Sequence, residues 1–177
     1  TRHQDNCRGL SGEIKALGND VEDVIETHLI HDHAIDEVQI TPNGDHVIFL
    51  ADDDYDGVRE LYSVPVGGGE LPKKLYQSLA PPADTTADVI HFEISRDSRF
   101  VVFNHREAKN DKAELWVAPA DGSSAARRLR PEDEFPEPGV AIFQITPDGE
   151  TVVFSGYSEE HRDWRLYCVP IDDETSS

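Results

Sequence analysis

The sequence lacks methionine, has little cysteine and contains no long apolar run. Methionine is absent from its 177 residues, and cysteine occurs only at Cys7 and Cys168. Two cysteines near opposite ends match no metal or redox spacing, so a disulfide and two buried thiols both fit. No apolar run approaches the roughly 18 residues that a membrane span needs, so we expect no membrane insertion. Because the chain starts at Thr1 without a methionine, we interpret it as a processed or excised piece of a longer precursor.

Basic residues are also scarce. The chain carries 16 Lys and Arg against 36 Asp and Glu, which gives a formal net charge of -20. Such a surface repels the phosphates of DNA and RNA, so no nucleic-acid partner is expected. Only five of the basic residues are lysines. An acidic surface poor in lysine stays hydrated in high salt, which fits a halophilic source, and it equally fits an ordinary acidic secreted protein.

An internal repeat occurs three times along the chain. Each copy has a short alternating strand, a turn, a strand rich in Val and Phe, and later a segment that ends on Pro. The copies are Val38–Phe49 with Glu60–Pro65, Phe92–Phe103 with Glu114–Pro119, and Phe143–Phe154 with Arg165–Pro170. The central isoleucines Ile40, Ile94 and Ile145 are spaced by 54 and 51 residues, and the closing prolines keep the same two spacings. Two landmarks with one period make chance a poor explanation.

Each copy predicts a small antiparallel sheet. Pro-Asn-Gly or Pro-Asp-Gly forms the first turn, because Pro presets φ and Gly supplies a positive φ; Arg96-Asp97-Ser98 is a weaker version. A Gly-containing turn and a basic, apolar segment such as Ala126–Leu129 come after the closing Pro. Four short strands per copy at this period indicate a propeller blade. We therefore predict at least ten strands and no helix beyond a short turn, with Gly18–Thr27 the least secure region.

The motif resembles the TolB-like, WD40-like (PD40-type) β-propeller repeat over about Ile35–Pro170. The resemblance implies an all-β fold of four-stranded antiparallel blades in three repeats, either a partial propeller or half of a six-bladed ring. It further implies a non-catalytic module for protein or ligand binding in a secreted, periplasmic or surface protein. The alternative is a metal-dependent propeller enzyme, or an accessory propeller domain of a peptidase or hydrolase. The chain has no Gly-x-Ser-x-Gly nucleophile elbow.

The phase of the repeat divides the chain into five parts. Residues 1–34 hold the outer strand of a blade and a connecting loop, residues 35–66, 67–120 and 121–172 hold the three repeats, and residues 173–177 form a tail. Gly9–Glu13 is similar to the Gly turn and outer-strand start at Gly67–Glu70. We therefore expect Gly9–Leu17 to supply an outer strand beside the sheet that ends at Pro170, within the chain or from a partner. Three blades cannot close a ring, so a homodimer or the remainder of a longer propeller is expected to complete it.

Two segments are candidate metal sites. Asp52–Gly57 has the form D-x-D-x-D-G, and alternate oxygen ligands Asp52, Asp54 and Asp56 suit calcium. However, Ser63 stands where a bidentate Glu belongs, so a solvated hairpin loop is the competing interpretation. His31 and His33 would lie on one side of an extended segment near the mouth of the central channel, spaced for a transition metal. An exposed polar loop is the alternative there, and no other cofactor is expected.

The repeat also predicts a core, because each blade can hide its apolar face only against its neighbours. Twelve residues occupy matching phases and are predicted to be buried: Ile40, Val47, Phe49, Leu61, Ile94, Val101, Phe103, Leu115, Ile145, Val152, Phe154 and Leu166.

Overall fold

The computed structural model describes residues 35–52, 58–76, 88–106, 113–129, 139–158 and 162–172. These residues contain eleven β-strands and no helix. The strands are β1 Ile35–Ile40, β2 His46–Ala51, β3 Glu60–Pro65, β4 Lys73–Lys74, β5 Asp88–Ile94, β6 Phe100–Arg106, β7 Ala113–Pro119, β8 Arg127–Arg128, β9 Val140–Ile145, β10 Thr151–Ser158 and β11 Asp163–Pro170. The described part of the chain therefore confirms the all-β prediction.

The strands form three antiparallel sheets, one for each repeat. The first blade has the order β1-β2-β3-β4, the second β5-β6-β7-β8, and the third β9-β10-β11. Sequence neighbours pair throughout, as in a propeller blade. The first two sheets run from residue 35 to 74 and from 88 to 128, so each includes the basic outer strand that comes after the Gly turn. In the third, β11 is the last strand of the described chain, and no described strand lies beside it as an outer strand.

The turn between the first two strands of each blade is closed by a hydroxyl group. The hydroxyl of Thr146 accepts a hydrogen bond from the N–H of Thr151 at 3.1 Å and donates one to Asp148 at 2.5 Å. This bond and the N–H of Glu150 hold the pKa of Asp148 below its ordinary value. Gly149 adopts a φ of 79°, and Ser98 takes the same left-handed conformation in the second blade with a φ of 66°. The predicted turns are therefore present, and the second is strained because Ser replaces Gly.

The core lies between the blades. One cluster joins the first blade, through Ile48, Leu50 and Leu61, to the second, where Phe92 and Phe103 are buried. Another cluster joins the second blade to the third. Its largest members are Leu115, Leu129, Phe143, Phe154 and Ile171. A third lies on the face of the first blade that is turned away from the second, where the rings of Phe49 and Tyr62 stack at 5.4 Å.

Eight of the twelve predicted core residues are buried, and Ile94 and Ile145 are partly buried against the clusters between the blades. Two predictions are wrong, because Ile40 is 36% exposed and Leu166 is 75% exposed. Ile94 and Ile145 pack against the preceding blade, and no described blade precedes Ile40. Leu166 lies on the side of the third blade where no described blade comes next.

Candidate interaction surface

Each blade turns one face towards the next blade along the chain. On this face of the first blade Leu61 is 0% exposed, because the second blade covers it. Leu115 has the same position in the second blade and is 4% exposed beneath the third. Leu166 has this position in the third blade, and its side chain is open. The third blade therefore exposes a face whose counterparts in the first two blades are packed against the next blade.

The open face of the third blade carries further large apolar side chains. Ile142 is 72% exposed and Trp164 is 61% exposed. Trp164 pairs across strands with Tyr157, and their rings meet edge to face at 5.6 Å. We call the surface formed by Ile142, Tyr157, Trp164 and Leu166 the open face. Contiguous apolar side chains of this size at a surface mark sites of protein association.

A groove of about 550 Å³ borders the open face at the inner end of the second and third blades. Ile142 and Leu166 line it together with Glu93, Asn104 and Ser155. Asn104 is almost fully buried, and its Oδ1 atom accepts no hydrogen bond from the residues that the structure describes. A buried amide oxygen without a donor favours a ligand group that carries an N–H or O–H.

The innermost strands connect neighbouring blades by polar side chains. The amide nitrogen of Gln39 donates to the carbonyl oxygen of Phe92 in the second blade at 3.4 Å. Glu93 holds the equivalent position in the second blade, and its carboxylate accepts a hydrogen bond from the N–H of Ile145 at 2.8 Å. Gln144 holds it in the third blade and is exposed. The third blade thus exposes a polar side chain at this position as well as apolar ones.

The closed interface between the first two blades contains a histidine whose pKa is strongly shifted. His105 is 2% exposed and packs against Tyr76 at a ring distance of 4.6 Å. Burial lowers the pKa of His105 to about 4, although the charge of Asp88 opposes this. Nearby, Arg59 donates to both carboxylate oxygens of Asp88 at 3.0 and 2.5 Å, and this bond raises the pKa of Arg59. His105 is therefore neutral in the folded protein at neutral pH.

Most residues of the two predicted metal sites lie outside the described chain. This holds for His31, His33, Asp54 and Asp56. Asp52 is described: it comes directly after β2 and is buried rather than solvated. In the ranges that the structure describes, no three His, Cys, Asp or Glu side chains come together in a group that could hold a metal ion. The calcium and transition-metal sites remain predictions.

Cys168 is a free and exposed thiol on β11, so the expectation of two buried thiols is wrong for this residue. Its position on the edge of the last sheet explains the exposure. Cys7 lies outside the described residues, as do Gly9–Leu17 and Gly18–Thr27. Among the described residues, no helix is long and apolar enough to cross a membrane.

The repeat in the sequence does not predict the open face. The phase of the repeat assigns Leu166 to the core, and nothing in the repeat singles out Trp164. One signal is available, because Trp164 stands where the other two repeats have Arg59 and Ala113. A large aromatic residue at a position that is otherwise polar or small indicates a local role rather than a part of the repeat.

Comparison with known proteins identifies the fold only. No protein-family model and no curated protein matches the chain. A solved TolB structure from Agrobacterium tumefaciens is 18% identical, with a TM-score of 0.35, over 78% of this chain and 62% of its own. An oligogalacturonate lyase in complex with manganese is 18% identical, with a TM-score of 0.49, over 80% and 36%.

An oligogalacturonate lyase from Vibrio parahaemolyticus is 14% identical, with a TM-score of 0.50, over 81% of this chain and 38% of its own. The chain thus spans less than two thirds of the length of each of these three structures. At such identities the likeness concerns the fold and not the activity. Together with the three antiparallel sheets it gives the architecture: the chain is an all-β array of β-propeller blades.

Proposed function

We propose that the protein is a non-catalytic propeller module that binds a protein partner through the open face, in a periplasmic or extracellular setting. The observation that carries the proposal is the exposure of Leu166, whose counterparts Leu61 and Leu115 are each covered by the next blade. An apolar face that the repeat elsewhere uses for packing is suited to burial against another protein.

The negative charge of the chain indicates which kind of protein partner is favoured. The chain has a net charge of -20, so a partner with an apolar patch and a basic rim is attracted and correctly oriented, whereas an acidic protein is repelled. The groove beside the open face adds a buried acceptor, the Oδ1 atom of Asn104, and the carboxylate of Glu93. Both groups favour a partner side chain that donates hydrogen bonds, such as Lys or Arg.

Site-specific photo-crosslinking in the cells that make the protein tests the proposal. A photoreactive amino acid at Leu166 or Ile142 should yield the same single adduct, and Trp164→Asp should abolish it. The matched control is Glu150, which is exposed on a turn away from the open face. The same adducts from Glu150, or no adduct from Leu166, would exclude a protein partner on this surface.

The homodimer predicted from the blade count is a separate outcome. Light scattering at several salt concentrations distinguishes it, because two chains of charge -20 repel each other less as salt rises. A dimer that disappears in Leu166→Asp would assign the open face to a second copy. If the chain stays monomeric at all salt concentrations, the expected partner of the open face is a different protein.

The metal-dependent alternative stays a prediction that rests on His31, His33, Asp52, Asp54 and Asp56. Elemental analysis of the purified chain tests it. A tightly bound metal at one per chain, lost in His31→Ala or in Asp54→Ala, would favour the enzyme.

A further inference from the structure

One position on the second strand of the blades changes from apolar to polar along the chain. At this position each blade has a residue that pairs with the leucine of the third strand: Leu50 with Leu61, Asn104 with Leu115 and Ser155 with Leu166. Leu50 is 0% exposed and belongs to the apolar cluster that joins the first two blades. The second blade therefore has an amide where the first blade has a packed leucine.

The amide of Asn104 is buried without a full set of hydrogen bonds. Asn104 is 2% exposed, and its Oδ1 atom accepts no hydrogen bond from the residues that the structure describes. Taking an amide oxygen out of water without a donor destabilises a fold, and the leucine of the first blade avoids that cost. A polar side chain that is unfavourable for folding at this place favours a role in binding.

Asn104 lines the groove of about 550 Å³ between the second and third blades, and so does Glu93. Oε2 of Glu93 accepts a hydrogen bond from the N–H of Ile145 at 2.8 Å, which holds the carboxylate between these two blades. Among the described residues that line the groove, Glu93 is the only Asp, Glu, Lys or Arg. The groove thus combines an anionic acceptor with a neutral one, and both suit a ligand that carries positive charge and N–H donors.

The walls of the groove are mostly apolar. Ile142, Phe143 and Leu166 form part of them, and the ring of His91 lies 5.6 Å from the ring of Phe143. The faces of aromatic rings attract cations. Apolar walls with a few convergent polar groups, at a volume of roughly 300–1,000 Å³, are typical of small-molecule sites. The groove also has more space than a single Lys or Arg side chain fills.

We propose that this groove binds a small organic cation that consists of a primary ammonium group on an apolar body of about the size of an aromatic ring. The ammonium group donates hydrogen bonds to Oδ1 of Asn104 and to the carboxylate of Glu93. The apolar body packs against Ile142, Phe143 and Leu166. The ligand is a free molecule, so the inference goes beyond the protein partner proposed for the open face.

Titration of the purified chain with phenethylammonium tests the proposal. The N–H of Ile145 reports on binding in two-dimensional NMR spectra, because it is bonded to Glu93. We expect a Kd of about 1 mM or lower. Two probes of the same shape serve as controls: phenethyl alcohol should bind more weakly, and 3-phenylpropionate at least about tenfold more weakly. Absence of binding, or equal binding of 3-phenylpropionate, would overturn the proposal.

Asn104→Leu separates a role in binding from a role in folding. It introduces the residue of the first blade, so the affinity for phenethylammonium should fall at least about tenfold while the midpoint of urea unfolding does not fall. A folded variant that binds phenethylammonium as tightly as the original chain would contradict the role of the amide. A lower unfolding midpoint with unchanged affinity would assign Asn104 to the fold.

Glu93→Gln provides a second variant that keeps an oxygen acceptor for the N–H of Ile145. Its affinity for phenethylammonium should fall about five- to tenfold, because a neutral acceptor replaces a charged one. The matched control is Glu150→Gln, which removes the same charge from an exposed turn that does not line the groove. Equal losses in the two variants would mean that the cation is attracted by the net charge of -20 and not by the groove.

A last probe distinguishes a free ligand from the side chain of a protein. N-acetyl-lysine amide carries the same ammonium group on the stem that a partner protein would insert. Weaker binding of this probe than of phenethylammonium supports a free ligand, and tighter binding would overturn it in favour of a lysine from a partner. Because no other protein is present, the outcome is independent of the crosslinking result for the open face.

Discussion

The first and third blades are built from the same repeat and differ in what covers them. Leu61 and Leu166 occupy one position in the repeat, yet the first is fully buried and the second is open to solvent. The difference comes from the neighbouring blade, because the second blade covers the first and no described blade covers the third. An apolar residue at this position of the repeat is thus buried where the next blade covers it and exposed where no described blade does.

The largest expected effect tests this comparison directly. Leu61→Ala should lower the free energy of unfolding by about 2–5 kcal/mol, because it leaves a cavity between two blades. Leu166→Ala should lower it by less than about 0.5 kcal/mol, because its side chain is already exposed. Urea unfolding of both variants measures the two values. A loss at Leu166 as large as that at Leu61 would show that this face is covered within the chain.

The dependence of stability on pH also distinguishes the covered face from the open face, because the interface between the first two blades buries His105. The pKa of His105 is about 4 in the folded protein, against 6.5 for an ordinary histidine. Between these values the unfolded chain binds a proton that the folded chain does not, so stability is present at pH 7 and is lost as pH falls towards 4. The shift corresponds to about 3 kcal/mol at most.

His105→Phe should therefore lose up to about 3 kcal/mol less stability than the original chain between pH 7 and pH 4, as measured by urea unfolding. Tyr76→Phe is the companion variant: it keeps the aromatic contact and His105 itself but removes the hydroxyl that lies 3.4 Å from Nδ1 of His105, so the loss of stability towards pH 4 should persist. Parallel pH profiles for His105→Phe and the original chain would show that His105 is protonated in the folded state.

The two interfaces between blades also differ in their ion pairs. Arg59 and Asp88 are partly buried, and two hydrogen bonds join the guanidinium group to the carboxylate, whereas Arg99 and Asp172 are exposed and 3.3 Å apart. Double-mutant cycles with alanine should give a coupling of about 1–2 kcal/mol for the first pair and about 0–0.5 kcal/mol for the second. Equal couplings would mean that burial does not strengthen the Arg59–Asp88 pair.

The blades could be predicted from the sequence because the repeat is periodic and its turns are chemically specific. The period locates the turns, the short basic outer strands and most of the core. The open face could not be predicted in this way, because periodicity assigns Leu166 the environment of Leu61. Trp164 and Arg165 break the repeat, and both lie on β11. These two departures from the repeat therefore fall on the strand whose face no described blade covers.

The smallest expected effect compares one turn in two blades. Ser98 and Gly149 occupy the same position with φ values of 66° and 79°, so Ser98 bears the cost of a left-handed conformation, about 1 kcal/mol. The hydroxyl of Ser98 also accepts a hydrogen bond from the N–H of Asn43 at 2.9 Å, which ties the turns of two blades together. Ser98→Ala loses this bond and keeps the strain, whereas Ser98→Gly loses the bond and relieves the strain. Ser98→Gly should therefore be more stable than Ser98→Ala by about 1 kcal/mol in urea unfolding.

Gly149→Ala provides the reverse experiment in the third blade. A Cβ atom there would meet nothing closer than 3.8 Å, so crowding is absent and only the backbone conformation opposes the change. It should cost about 1 kcal/mol, similar to the difference between the two Ser98 variants. Because both turns require the same left-handed conformation, the cost of Gly149→Ala and the difference in stability between the two Ser98 variants should agree. If Ser98→Gly is no more stable than Ser98→Ala while Gly149→Ala is costly, the second turn has relaxed to a different backbone geometry, and the turns of the two blades are not equivalent.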